Sequence, residues 1–175
     1  MDPSFEPVAA GQAQELARWL ASDRWTFFVR ETLTEDEALA RVQTLFGPHR
    51  ELWWIVASGS RVGVIELYDL ADPTALFAIR LKSESRRRGF GTAALRWLTQ
   101  HLFTRGAGLV RIEGQTREDN VAMRGLFRKC GYVHEATYRR GWPTAGGDRL
   151  CSVGYAVLRE DWERGTTTPV AWTEE

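Results

Sequence analysis

Apolar residues recur at two periods along this chain, and the switches between them divide it into strands and helices. Phe5 to Ala9 reads as a short first strand, and Gly11 opens a helix on which Leu16, Trp19 and Leu20 fall at i, i+3 and i+4. Ser22 to Thr32 is rich in aromatics without a period, and reads as a loop or distorted helix. Thr34-Glu35-Asp36-Glu37 is a capping box: the Thr hydroxyl can accept a backbone N–H while Glu37 reaches back. The helix it opens runs to about Phe46, where Gly47-Pro48 ends it.

Three strands follow. Leu52 to Ala57 and Val62 to Tyr68 are almost wholly apolar, with Ser58-Gly59-Ser60-Arg61 between them as a hairpin turn. Asp72-Pro73-Thr74 makes a second turn, and Leu76 to Leu81 completes an antiparallel meander. From Gly89 to Arg105 the period lengthens, with Leu95, Leu98 and Leu102 on one helical face and Gly106-Ala107-Gly108 as its stop. Leu109 to Glu113 is a strand again, Asn120 to Cys130 a short helix capped by Gly131, and Tyr132 to Arg139 and Leu150 to Leu158 are the last two strands. The order is strand, two helices, three strands, helix, strand, helix, two strands: a mixed α/β sheet in a single domain over residues 1–162. The Thr-rich residues 163–175 form a peripheral tail.

Composition narrows the function classes. Lys plus Arg and Asp plus Glu both number 23, so the net charge is zero, which argues against a nucleic-acid binder working through a broad basic field. Cys130 and Cys151 lack metal-ligand spacing and read as small buried hydrophobes, and His49, His101 and His134 have no partner at metal spacing, so no metal is expected. The start, Met1-Asp2-Pro3-Ser4-Phe5, has neither a basic nor an apolar leader region, and no apolar run is long enough to span a membrane. A cytoplasmic protein without membrane or nucleic-acid partners is the expectation. The eight tryptophans read mainly as core.

One segment carries chemistry on its own. Arg86-Arg87-Arg88-Gly89-Phe90-Gly91-Thr92 lies between a strand and a helix. Backbone N–H groups at a helix N-terminus lack intrahelical partners and carry the positive end of the dipole. Gly89 and Gly91 would let an anion approach the backbone, and three arginines add charge. No Gly-Lys-Ser/Thr follows, so this is not a Walker A loop, and the preceding meander does not suit a dinucleotide fingerprint. Alone, the turn reads either as an anion site or as a solvated basic helix start.

Context makes it more specific. The Arg-x-x-Gly-x-Gly pattern of Arg86, Gly89 and Gly91, behind the strand Phe77-Ala78-Ile79-Arg80-Leu81, resembles the acetyl-CoA loop of the GNAT superfamily of N-acetyltransferases. Asn120, Ala122, Phe127 and Lys129-Cys130-Gly131-Tyr132 resemble that family's downstream helix, and Asp148 with Tyr155 to Trp162 resembles the C-terminal strand of its ribosomal-protein alanine N-acetyltransferase branch. The resemblance implies a mostly antiparallel sheet with splayed central strands flanked by helices, and homodimerisation. It implies acetyl-CoA as co-substrate and a primary amine, on a small molecule or a protein or peptide N-terminus, as acceptor. The amine would attack the thioester directly in a ternary complex.

Carried over, the roles are these. Backbone groups of Ile79, Arg80 and Leu81 would hold pantetheine, and the backbone amides of Arg86, Arg87, Arg88, Gly89, Phe90, Gly91 and Thr92 the pyrophosphate. Asn120 would bond pantetheine, besides being suited to a helix N-cap. Phe127 stands where many members carry a tyrosine that protonates the departing thiolate, so the general acid is unassigned and a non-catalytic acyl-CoA-binding module is the alternative. Candidate bases are Glu113, Asp69 and Glu66, or a water relay. The acceptor pocket would draw on Trp25, Phe27 and Arg30 from one loop and Arg140 and Trp142 from the last hairpin, implying an acceptor with an apolar or planar body and an anionic group.

Overall fold

The computed structural model describes residues 2–106 and 108–172. Seven strands, β1 (Ser4–Pro7), β2 (Glu51–Ala57), β3 (Ser60–Tyr68), β4 (Thr74–Leu81), β5 (Arg111–Arg117), β6 (Val133–Pro143) and β7 (Arg149–Leu158), form one sheet. The order is β1-β2-β3-β4-β5-β7-β6. Every neighbouring pair is antiparallel except β4 and β5, which run parallel. The mixed α/β sheet expected from the periodicity is present.

Helices cover both faces. On one, α1 (Ala13–Ala21) and α2 (Glu35–Gln43) bury Leu16, Leu20, Ala38 and Val42 against Trp54 and Val64. On the other, α3 (Phe90–Thr104) and α4 (Val121–Lys129) bury Leu95, Leu98 and Phe127 against Ile65, Phe77 and Ile112. The α2 capping box forms as the sequence predicts: Thr34 Oγ1 accepts from Glu37 N at 3.2 Å, and Glu37 Oε2 accepts from Thr34 N at 2.9 Å. Gly131, at φ 82°, takes the left-handed turn after α4.

Several expectations are corrected. The run from Tyr155 to Trp162 is not one strand: β7 ends at Leu158, and α5 (Arg159–Arg164) carries Trp162 against Phe103. The chain beyond it is tied down at its start, because Asp161 accepts from Thr166 and Thr168. β5 begins later than Leu109 and continues through the polar residues Gln115 and Thr116, which pair with β7. Only Trp25 and Trp54 among the tryptophans are fully buried, while Trp162 and Trp172 are exposed. Cys130 and Cys151 are half-buried. Part of the expected helix stop, Ala107, lies outside the described residues, as do 173–175 of the tail.

Glu51 fastens β2 to α3. Its carboxylate accepts from the Trp53 indole at 3.0 Å, meets His101 Nε2 at 3.0 Å and pairs with Arg105. Burial pushes its pKa up, but hydrogen bonds from His101, Trp53 and Arg105 and the Arg105 charge outweigh burial and hold it below the usual carboxylate range. The unfolded chain therefore binds this proton more readily. The stabilisation is present above the unfolded value, about 4.3, and is lost as pH falls through the lower folded value. The urea midpoint of Glu51→Gln should lie below wild type at pH 7, with the gap closing below about pH 4. A gap independent of pH would contradict this.

Candidate active site

The parallel pair β4 and β5 is joined only at its beginning. Register runs Thr74↔Arg111, Ala75↔Ile112 and Leu76↔Glu113, and pairing stops there although β4 continues to Leu81 and β5 to Arg117. Gly63 of β3 lies opposite Leu81, and Lys82 N donates to Val62 O at 2.9 Å. Backbone groups alternate sides along a strand. With Lys82 turned toward β3, Ile79 and Leu81 turn their N–H groups toward the gap that β5 has left. A row of strand donors facing a gap is an edge that an extended chain can join.

The gap leads to the start of α3. Arg87 at φ 59° and Gly89 at φ 87° are left-handed on either side of Arg88, a geometry that gathers successive N–H groups into a concave anion site. The first helical bond runs from Ala93 N to Gly89 O, so the amides of Phe90, Gly91 and Thr92 have no partner within the helix. The Arg86 guanidinium is used elsewhere: it donates to Leu81 O at 3.2 Å and Arg24 O at 3.3 Å, bracing the loop. Arg88 lies 5.3 Å over the Phe90 ring, outside the cavity lining. The geometry suited to an anion here is that of the backbone rather than of the arginine triplet.

Two cavities, of about 530 Å³ on the loop side and about 750 Å³ beyond, meet at the gap. Both are lined by Phe27, Phe28, Ile79, Arg80, Asn120 and Met123. The aromatic loop after α1 covers the junction and is pinned at several points. Asp23 accepts from Ser83 N and Ser83 Oγ, both at 2.7 Å; Trp25 Nε1 donates to Leu20 O at 2.8 Å. Arg80 stacks 3.8 Å over Phe28 and Arg117 stacks 5.0 Å over Phe27.

Beneath this cover lies a pair that sequence reading missed. Arg80 and Glu66, each 5% exposed, form an ion pair between β4 and β3, and Arg41 of α2 approaches Glu66 at 3.2 Å. Burial lowers the Arg80 pKa despite the Glu66 charge. Glu66 is thus committed to arginines, and its reading as a free base is corrected. The one sequence signal was Glu66 itself, a carboxylate on the same strand face as Val64 and Tyr68 in an otherwise apolar run.

The other candidates divide. Glu113 lines the larger cavity where the strands part, accepting from Arg111 at 2.6 Å and Gln115 at 3.0 Å. Burial would raise its pKa, but the hydrogen bonds from Gln115 and Arg111 and the Arg111 charge prevail and lower it. Asp69 is exposed, left-handed at φ 57°, and outside both cavity linings. Asn120 is the N-cap of α4, accepting from Met123 N at 3.2 Å, while its amide donates to Thr116 Oγ1 at 2.9 Å. Phe127 is wholly buried, stacked 4.8 Å from Tyr155, and lines only the larger cavity. Trp25, Phe27, Arg30 and Trp142 line the larger cavity as expected, but Arg140 does not: it is exposed at φ 54° in the bulge between Tyr138 and Trp142. Among the described residues, no group of three or more His, Cys, Asp or Glu could hold a metal ion, and no helix is long and apolar enough to cross a membrane.

Comparison with known proteins bears on the family and the fold. The family model described as "Acetyltransferase (GNAT) domain" matches residues 4–133. Among solved structures, the spermidine N-acetyltransferase from Vibrio cholerae, in complex with CoA and spermine, superimposes with TM-score 0.79 at 16% identity, covering 93% of this chain and 98% of that one. The Salmonella typhimurium acetyltransferase that modifies the N-terminal serine of ribosomal protein L7/L12 gives 0.77 at 16% identity, covering 90% and 95%. A probable GNAT-family acetyltransferase from Chromobacterium violaceum gives 0.78 at 19% identity, covering 93% and 91%. No curated protein sequence matches the chain significantly. With a family match over most of its length and the shared fold, the chain belongs to the GNAT acetyltransferase family.

Proposed function

We propose that the chain transfers the acetyl group of acetyl-CoA to a primary amine by direct attack in a ternary complex. The observation that carries this reading is the opening between β4 and β5, which joins the concave loop at 86–92 to the larger cavity. The pantetheine arm of acetyl-CoA fits that opening as an added extended chain, with Ile79 and Leu81 offering backbone donors and Asn120 a side-chain partner. The pyrophosphate fits the amides between Arg87 and Thr92. This brings the thioester to the junction under Phe27 and Phe28, and the amine enters from the larger cavity. Holding both reactants there removes the entropy of their encounter, and a backbone N–H near Leu81 can polarise the thioester carbonyl.

An alkylammonium must lose a proton before it attacks. Glu113 is the proton acceptor in this reading, directly or through a water, since it is ionised at neutral pH and stands where the strands part. Its lowered pKa makes it a weak base, so its contribution sits at the lower end of general-base effects. Glu113→Gln is expected to lower kcat by about 10²-fold with little change in the acetyl-CoA KM. Steady-state kinetics on both substrates checks this, and an unchanged kcat would transfer the role to a water relay. Mixing the protein with acetyl-CoA and a panel of amines while following free thiol tests the reading as a whole. CoA binding with no thiol release on any amine would favour an acyl-CoA-binding module, consistent with a phenylalanine at position 127.

A further inference from the structure

Resting on that acetyltransferase reading, we infer that the acceptor is a small amino carboxylate with an aromatic or branched body, and that Arg50 reads its carboxylate. The larger cavity falls in the size range of small-molecule sites, at about 750 Å³. Its apolar wall includes Phe27, Phe28, Leu33, Leu45 and Tyr68, which suits a flat or branched body.

Charge in this cavity is distributed unevenly. Its carboxylates, Glu37, Glu66 and Glu113, are all matched: Glu37 with Arg30 at 3.1 Å, Glu66 with Arg80 and Arg41, and Glu113 with Arg111 at 2.6 Å. Of the lining arginines, Arg30, Arg41 and Arg80 are consumed in those pairs. Arg50 alone among them has no ion pair among the described residues; its guanidinium lies 5.4 Å over the Tyr68 ring. The cavity therefore carries an excess of positive charge.

A second unmet group lines the same space. Trp142 Nε1 is buried and has no hydrogen-bond partner among the described residues. Guanidinium and indole N–H groups are donors only. A polyamine, whose protonated nitrogens are also donors only, would satisfy neither and would meet an uncompensated cation. An acceptor with oxygen atoms satisfies both, with the carboxylate matching the planar fork of Arg50 and any remaining oxygen matching Trp142. The amine then points toward Glu113 and the junction.

Matched acceptors decide the matter. With the full chain and saturating acetyl-CoA, thiol release is followed on phenylalanine, leucine, their carboxamides, 2-phenylethylamine and spermidine. The inference predicts that each acid exceeds its carboxamide in kcat/KM by at least about tenfold, and that spermidine is poorest. Arg50→Gln should bring the acid-to-carboxamide ratio to about one. The opposite order, spermidine as the best acceptor, or an unchanged ratio in Arg50→Gln would overturn this inference and leave the acetyltransferase reading standing. Absence of turnover on every amine overturns both.

Discussion

Replacing Glu66 with alanine is expected to lower stability by about 3–5 kcal/mol, a fall in Tm of roughly 6–20 °C. Arg80 is 5% exposed, and the adjacent Arg41 supplies like charge, so removing Glu66 strands a buried guanidinium beside another cation. The loss comes from that uncompensated charge more than from the attraction itself. Consequently a double replacement, Glu66→Leu with Arg80→Met, should recover most of the stability, because a packed apolar pair of similar volume often equals a buried ion pair. Thermal melts of the three variants check this. The activity should not recover, since the Arg80 side chain also stacks on Phe28 and helps hold the loop over the junction. Equal stability of wild type and Glu66→Ala would show that Arg80 finds another partner.

The second large effect concerns the loop. Gly91→Asp places a carboxylate on the first turn of α3, among the amides proposed to hold the pyrophosphate. A Cβ there would lie 3.2 Å from Leu126 Cδ2 and 3.5 Å from Leu81 Cδ1, contacts that two flexible leucine ends can relieve. An acid in the first turn suits the helix dipole by about 0.3–1 kcal/mol, so Tm should change little. Binding should change greatly: the new charge repels the pyrophosphate and competes for its donors. Losing two hydrogen bonds to a charged group, at about 1.5–3 kcal/mol each, corresponds to roughly 10²–10⁴-fold weaker acetyl-CoA binding. Calorimetric titration with CoA checks it, and an unchanged affinity would remove the loop from the donor site.

What could be read in the sequence was what local chemistry dictates. The capping box at Thr34 and Glu37, the hairpin turn at Ser58-Gly59, the left-handed Gly131 and the glycine-spaced start of α3 all appear where the sequence places them, because each is decided within a few residues. The features that escaped depend on distant partners. Glu66 and Arg80 are 14 positions apart, and only the β3–β4 register reveals that they meet. The polar half of β5 has no apolar alternation because Glu113 and Gln115 face the cavity. The Arg86 guanidinium adds charge in the sequence pattern, but it braces Leu81 and Arg24, since the chain after α1 folds back over it. Arg140 shared a segment with Trp142, but the bulge after Tyr138 turns it outward. Arg50, by contrast, follows a helix stop with no local pattern to mark it, and its position in the cavity follows from the chain return into β2.

The opening between β4 and β5, ending on the amides of residues 87–92, is the proposed CoA site. Thermal melts of the full chain with CoA, with ATP and with neither test it most directly. A concentration-dependent rise in Tm is expected with CoA, greatly diminished in Gly91→Asp, and little or none with ATP. Protection by ATP equal to that by CoA, or a CoA response that Gly91→Asp leaves intact, would contradict it.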